Sequence, residues 1–116
     1  MGSRGDGSFG NYQPKADQTK CGEDIGAVSL EDVTLYEYYK NNGELPKVDE
    51  LIRVEFHDES KRLVAISDLT NEIIGAIPTR FNFMLICIKN NYNYAGKVFA
   101  MINHPLPRVE VEINAI

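Results

Sequence analysis

The sequence contains no tryptophan and only two cysteines, Cys21 and Cys87. These cysteines form no Cys-x-x-Cys pair, and they could complete a zinc site only with the help of both histidines, so we predict no metal. No apolar run approaches the ~18 residues that span a bilayer. No charged start followed by an apolar stretch indicates a secretory signal. We therefore expect a cytoplasmic protein without membrane contact, in which Cys87 is a small, buried, unpaired apolar residue.

Positive charge is also scarce, and the shortage is uneven. The 116 residues carry 12 Lys and Arg against 17 Asp and Glu, a net charge of −5. Eleven of the acidic residues lie between positions 21 and 60, whereas residues 61–116 hold six basic and four acidic residues. A protein that coats nucleic acid needs clustered Lys and Arg, so that class is excluded, although a local basic face is not.

The length and composition fit one compact domain. The hydrophobic share of 43% and the charged share of 25% are ordinary for a globular protein. Residues 1–22 are rich in Gly, Ser, Asp, Asn and Gln, and begin with Met-Gly-Ser, which resembles the remnant of an expression tag. Such a composition buries too little apolar surface to offset its ordering entropy. We predict a disordered tail over residues 1–22 and a single domain over residues 23–116.

The sequence pattern of the domain predicts short strands around one helix. Ile77-Pro78 ends a strand, Thr79 can cap a helix, and the apolar residues Phe81, Met84, Leu85 and Ile88 are spaced as one helical stripe. β-Branched, aromatic or alternating apolar residues predict strands over residues 33–39, 51–56, 63–66, 72–77, 93–102 and 109–113. The expected fold is mainly β, a small and partly open barrel of the SH3 or OB type with about six strands and one principal helix.

The chemistry-bearing residues give no support for catalysis. The row His57-Asp58-Glu59-Ser60 has the residue types of a triad, but neighbours on an extended segment point to opposite faces. We interpret the row as a polar loop between strands. No phosphate-binding, dinucleotide-binding, zinc-protease or serine-hydrolase motif occurs, so we expect neither an enzyme nor a small-molecule cofactor.

Binding has more support than catalysis. Tyr38 and Tyr39 lie on the predicted first strand, where one of the two rings must approach the surface. Exposed aromatic rings on small barrels stack nucleobases or anchor protein partners. Basic residues that could add a cationic face are Lys61, Arg62, Arg80, Lys89 and Lys97.

The order of these elements resembles the HIRAN domain family over about residues 33–113. The clearest part is the segment from Ile74 to Asn82, Ile-Gly-Ala-Ile-Pro-Thr-Arg-Phe-Asn, which looks like the strand-to-helix segment of that family. The apolar strand before it, the helical stripe after it and the final alternating strand follow in the expected order. The resemblance implies a six-stranded barrel with helical insertions, found in DNA-repair helicases and as a stand-alone bacterial domain.

Members of this family that bind DNA recognise the 3′ end of a single strand, and the resemblance implies the same activity here. Their first strand carries an Arg-Tyr-Tyr run, which here looks like Glu37-Tyr38-Tyr39, with an anion in place of the cation. Their Asn-Pro-x-Asp loop corresponds to residues 57–60, without the proline. The nucleic-acid-binding residues that we predict are Tyr38, Tyr39, His57, Lys61, Arg62 and Arg80.

Two functions therefore remain. One is a non-enzymatic HIRAN-like module that binds single-stranded DNA ends through an aromatic and basic surface. The other is an accessory domain that binds a protein partner, with the acidic region around Glu37, Asp49 and Glu50 meeting a basic surface.

Overall fold

A computed structural model describes residues 21–116, so residues 1–20 of the tail predicted over residues 1–22 lie outside the described residues. Cys21, within that predicted tail, is fully buried. Among residues 21–116, no helix is long and apolar enough to cross a membrane.

Six antiparallel strands form one sheet, which confirms the mainly-β prediction. The strands run over Gly26–Ser29 (β1), Leu51–His57 (β2), Arg62–Ser67 (β3), Ile73–Ala76 (β4), Tyr94–Ile102 (β5) and Arg108–Ala115 (β6). Their order is β1-β6-β5-β2-β3-β4. The sheet does not close along its edge strands, but Glu31 and Ala76 exchange two backbone hydrogen bonds of 2.8 and 2.9 Å. This bridge joins the chain just after β1 to the opposite edge of the sheet.

The predicted first strand over residues 33–39 is wrong. Val33–Leu35 forms a 3-10 turn and Glu37–Asn42 forms an α-helix, α1. The helix has an acidic residue in its first turn and a lysine in its last, which complement the helix dipole, and Gly43 ends it with a φ of 68°. These end effects and the packing of the helix outweigh the strand preference of its aromatic residues. The strand at Gly26–Ser29, which we did not predict, takes the missing place in the sheet.

The principal helix follows Ile77-Pro78 as predicted. A 3-10 turn over Thr79–Phe81 leads into α2, Phe83–Lys89. Thr79 does not cap it: Asn82 lies at the N-cap position, and no side-chain capping hydrogen bond forms. Met84 and Cys87 are the fully buried residues of this helix, so its stripe packs on the main core.

The two cysteines form a disulfide bond, so the prediction of an unpaired Cys87 is wrong. Both residues are fully buried, and 66 positions separate them in the chain. Sequence spacing alone does not determine whether two distant cysteines approach each other. The bond ties the start of the described chain to α2.

Close packing of β5 against β6 depends on Gly96. A β-carbon at this position would overlap the backbone carbonyl oxygen of Glu112. The two strands pair over nearly their whole length, with a bulge between Val98 and Ala100. Gly96 also pairs with Ile52 of β2, at the centre of the sheet.

Candidate functional site

Tyr38 is a core residue and not an exposed binding platform. Its side chain is 8% exposed, and its hydroxyl donates a 3.1 Å hydrogen bond to Glu50 Oε1. The other carboxylate oxygen, Oε2, accepts a 2.6 Å bond from the hydroxyl of Ser67, which is fully buried. Burial, and next the nearby charge of Glu50, raise the pKa of Tyr38 to about 12. Of the two tyrosines predicted to stack a base, Tyr38 is therefore the buried one, and its role in binding stays a prediction.

Tyr39 is half-buried and packs against the main core. The expectation that Tyr38 and Tyr39 face opposite sides depended on a strand. On a helix, successive side chains diverge by about 100°, so both rings turn partly toward the sheet. Its role in binding stays a prediction.

His57 lies at the end of β2, where a tight turn over residues 58–61 leads to β3. The turn brings Ser60 back to the ring: Ser60 Oγ lies 2.8 Å from His57 Nδ1, and the Ser60 backbone N–H donates to the same atom at 3.3 Å. Both contacts form together when Nδ1 is the acceptor and Nε2 carries the hydrogen. Glu59 Oε1 lies 3.7 Å from Nε2, but this carboxylate is 92% exposed. The row is therefore a locally hydrogen-bonded turn, although His57 and Ser60 are closer than the extended reading allowed.

An open cleft lies between α1 and this turn, with a volume of about 390 Å³. Such a volume is at the lower end of the ~300–1,000 Å³ of small-ligand sites. The cleft brings together two segments that are distant in sequence, the start of α1 and the 57–60 loop. It is lined by Leu35, Tyr36, Glu37, Lys40, His57, Glu59, Ser60 and Ile73.

Charges in the cleft are of both signs. Lys40 and the exposed Glu59 are not paired with each other in the described chain, and Lys61 is exposed in the same turn. Glu37 accepts the backbone N–H of Ile73 at 3.1 Å through Oε2. This bond holds α1 to β4. The cleft therefore has no excess of positive charge, unlike a surface built for phosphates.

Arg62 does not belong to a basic face. Its guanidinium lies 2.7 Å from Glu31 Oε1 and 3.6 Å from Asp32 Oδ2, and it donates to the carbonyl of Ile77 at 2.9 Å. Two carboxylates neutralise the single charge, and the arginine fixes the chain that bridges the sheet edges. The predicted role of Arg62 in binding nucleic acid stays a prediction, and its charge is shared with Glu31 and Asp32.

Arg80 lies at a different place on the molecule. It borders a depression of about 290 Å³ with Glu23, Asp24 and Phe81, and its guanidinium carbon is 4.7 Å from the centre of the Phe81 ring. The acidic residues there offset its charge. Of the six predicted residues, His57 lines the cleft, Lys61 adjoins it, and the other four lie in the core or elsewhere.

Of the eight lining residues only His57 was among the predicted binding residues, and the aromatic ring and the cation of the cleft, Tyr36 and Lys40, were not. They are four positions apart, the spacing of neighbours on one helix face, and the Lys40 N–H donates to the Tyr36 carbonyl at 3.2 Å. A helical reading of this segment would have paired them. Among residues 21–116, no group of three or more His, Cys, Asp or Glu side chains is arranged to hold a metal ion.

Comparisons with protein-family models, with curated proteins and with solved structures give no match for this chain. The HIRAN resemblance therefore rests on the residues quoted above.

Proposed function

We propose that this chain is a non-enzymatic HIRAN-like module whose cleft receives the end of a single-stranded nucleic acid. The observation that carries the proposal is the convergence of two segments distant in sequence. Glu37 and the loop after His57, both of which depart from the family pattern, correspond to two separate segments of that pattern and border one cleft. Pockets with a few convergent polar groups are the usual places for ligands.

The chemistry of the cleft suits the end of a nucleic-acid strand more than a continuous sugar-phosphate backbone. Tyr36 offers an aromatic ring, and Lys40 offers one cation for a terminal phosphodiester. The carboxylate of Glu59 can accept hydrogen bonds from a sugar hydroxyl. With one or two cations involved, the slope of log K against log salt should be shallow, about −0.7 to −1.4.

The test is fluorescence anisotropy with short labelled single-stranded DNA that has a free or a blocked 3′ end. Lys40→Glu should weaken binding about 10- to 100-fold, since a charge-assisted contact contributes ~1.5–3 kcal/mol. Lys89→Glu is the matched control, because Lys89 is likewise an exposed lysine in the last turn of a helix, α2. It should change affinity less than about twofold, the scale of an exposed charge far from the site.

Two results would count against the proposal. One is the absence of any binding at tens of micromolar protein in low salt. Even non-specific binding to nucleic acid has dissociation constants of about 10⁻⁴ M or lower, so a genuine site should be detected under these conditions. The other is an equal loss in both lysine variants, which would mean general electrostatic attraction.

The cytoplasmic location stays a prediction, and the disulfide bond is the observation that bears on it. Disulfides persist mainly in oxidising compartments. Maleimide labelling of acid-quenched cells should find Cys21 and Cys87 reduced if the protein resides in the cytoplasm. Full protection of both thiols would contradict that location.

A further inference from the structure

A second surface, remote in sequence from the cleft residues of α1, leaves large aliphatic side chains in solvent. Leu51 is 60% exposed, Leu69 is 80% exposed and Ile116 is 78% exposed. Scattered apolar residues need no explanation, but contiguous ones mark interaction sites. Two depressions make these three residues contiguous.

The two depressions share Leu51. One, of about 360 Å³, lies between Leu51 and Leu69 and is bordered by Glu50 and Asp68. The other, of about 410 Å³, runs from Leu51 to Ile116 across β5 and β6, and its remaining lining residues are Ala95, Gly96, Lys97, Glu112 and Asn114. We name the pair the aliphatic groove.

The rim of the aliphatic groove is acidic. Glu50, Asp68 and Glu112 border it, with one lysine, Lys97, which lies 3.6 Å from Asp49. Asp68 pairs with Arg53 at 3.0 Å, and the Glu50 carboxylate accepts hydrogen bonds from Tyr38 and Ser67. Four carboxylates against two cations leave the rim acidic. Carboxylates beside exposed aliphatic side chains favour a partner that carries cations next to apolar anchors. An anionic strand would be repelled, so this surface does not suit nucleic acid.

Hydrogen bonds also fix the backbone segments that carry Leu51 and Leu69. Asp68 donates its backbone N–H to the Leu51 carbonyl at 3.0 Å, which joins the turn that carries Leu69 to the start of β2. Ser67 Oγ accepts the N–H groups of Leu69 and Thr70 at 3.2 and 3.3 Å. The backbone that carries the exposed leucines is therefore held in place, which lowers the entropy cost of ordering it on binding.

We propose that the aliphatic groove docks an extended basic segment of a partner protein, with aliphatic side chains of that segment inserted beside Leu51 and lysines or arginines on the acidic rim. This interaction is independent of the proposed nucleic-acid site. The surface defines the chemistry of the partner segment and does not identify the partner protein.

The experiment uses the full chain and three fluorescein-labelled synthetic peptides: one of leucine and lysine, one of serine and lysine, and one of leucine and glutamate. The leucine–lysine peptide should bind with a dissociation constant of about 10–100 µM, as expected for a small and transient interface. The other two should bind at least about tenfold more weakly, a difference of ~1.4 kcal/mol.

Variants assign the binding to the groove. Leu69→Ser, in an exposed turn, should weaken the leucine–lysine peptide about tenfold while circular dichroism and the melting temperature stay unchanged. Leu51→Ser should do the same, and Leu106→Ser, at a leucine that is 69% exposed and lies outside the groove lining, should leave the peptide affinity unaltered. Equal binding of the serine–lysine peptide, or undiminished binding by both leucine variants, would overturn the proposal. So would sedimentation showing that the chain dimerises through Leu69, since a second copy would then occupy the groove.

Discussion

Replacement of Tyr38 by phenylalanine separates the structural role of this residue from a binding role. The change keeps the buried ring and removes the hydroxyl that donates to Glu50 at 3.1 Å. A hydrogen bond to a charged acceptor contributes ~1.5–3 kcal/mol. Glu50 keeps its 2.6 Å bond from Ser67 after the change, so we expect a loss near the lower bound, about 1.5 kcal/mol.

For a domain of this size, each kcal/mol shifts the melting temperature by roughly 4–8 °C, which gives a fall of about 6–12 °C. Differential scanning calorimetry measures it. Tyr39→Phe is the matched control, because the Tyr39 hydroxyl has no hydrogen-bond partner in the described part of the chain, and its melting temperature should move by less than ~2 °C. The structure also places Tyr38 outside the cleft, so affinity for DNA should not change.

A double variant tests whether Tyr38 and Ser67 act through the same carboxylate. In a thermodynamic cycle, Tyr38→Phe and Ser67→Ala should be non-additive by ~0.5 kcal/mol or more. Equal melting temperatures for the Tyr38 and Tyr39 variants would refute the hydrogen-bond account, as would a loss of DNA affinity in a folded Tyr38→Phe protein.

Three further predictions concern packing, cross-linking and pH. Gly96→Ala should destabilise the fold by about 3 kcal/mol or more in urea titration, the upper range for overpacking, whereas Gly22→Ala, at a site with open space around it, should be neutral. Reduction of the Cys21–Cys87 bond should lower the free energy of unfolding by up to about 4 kcal/mol, from the closure entropy of a loop of this length; an unchanged urea midpoint with dithiothreitol would contradict the bond. Because the pKa of Tyr38 is raised from 10.0 to about 12, its contribution to stability should be complete below pH 10 and decline between pH 10 and pH 12. Tyr38→Phe should make the alkaline decline smaller, and the part that remains includes Tyr94, whose pKa burial also raises.

The central strands could be predicted from the sequence because their apolar alternation is set by burial on one side of a sheet. Leu51–His57 and Arg108–Ala115 match their predicted positions to within two residues. The helix after Ile77-Pro78 was equally predictable, since proline ends a strand and the apolar spacing changes there. The prediction that Thr79 caps this helix was wrong, because Thr79 begins a 3-10 turn that precedes the helix.

The start of the domain was harder to predict. The segment around Tyr38 has strand-forming residues, yet it is helical because Tyr38 can then reach Glu50, twelve positions away. Such a contact is tertiary and leaves no local periodicity. The disulfide bond has the same character, since it joins residues whose approach depends on the whole fold.

The sequence predicted the candidate site only where its residues lie close together in one short segment. His57 and its loop stood out by residue type, but the neutralisation of Arg62 depends on Glu31, which is brought near by the bridge between the sheet edges. Arg80 stood out in the resemblance and lies at another depression. The fold determines which charged side chains lack an ion-pair partner. The counts of acidic and basic residues in the sequence do not reveal this.

The most direct test of the central claim is a two-dimensional ¹H–¹⁵N NMR titration of the full chain with a short single-stranded DNA that has a free 3′ end. The account predicts shifts concentrated at the backbone amides of Tyr36, Lys40 and residues 57–61, with little change at Arg80 or Leu69. Shifts centred on Arg80, or none at millimolar DNA, would contradict it.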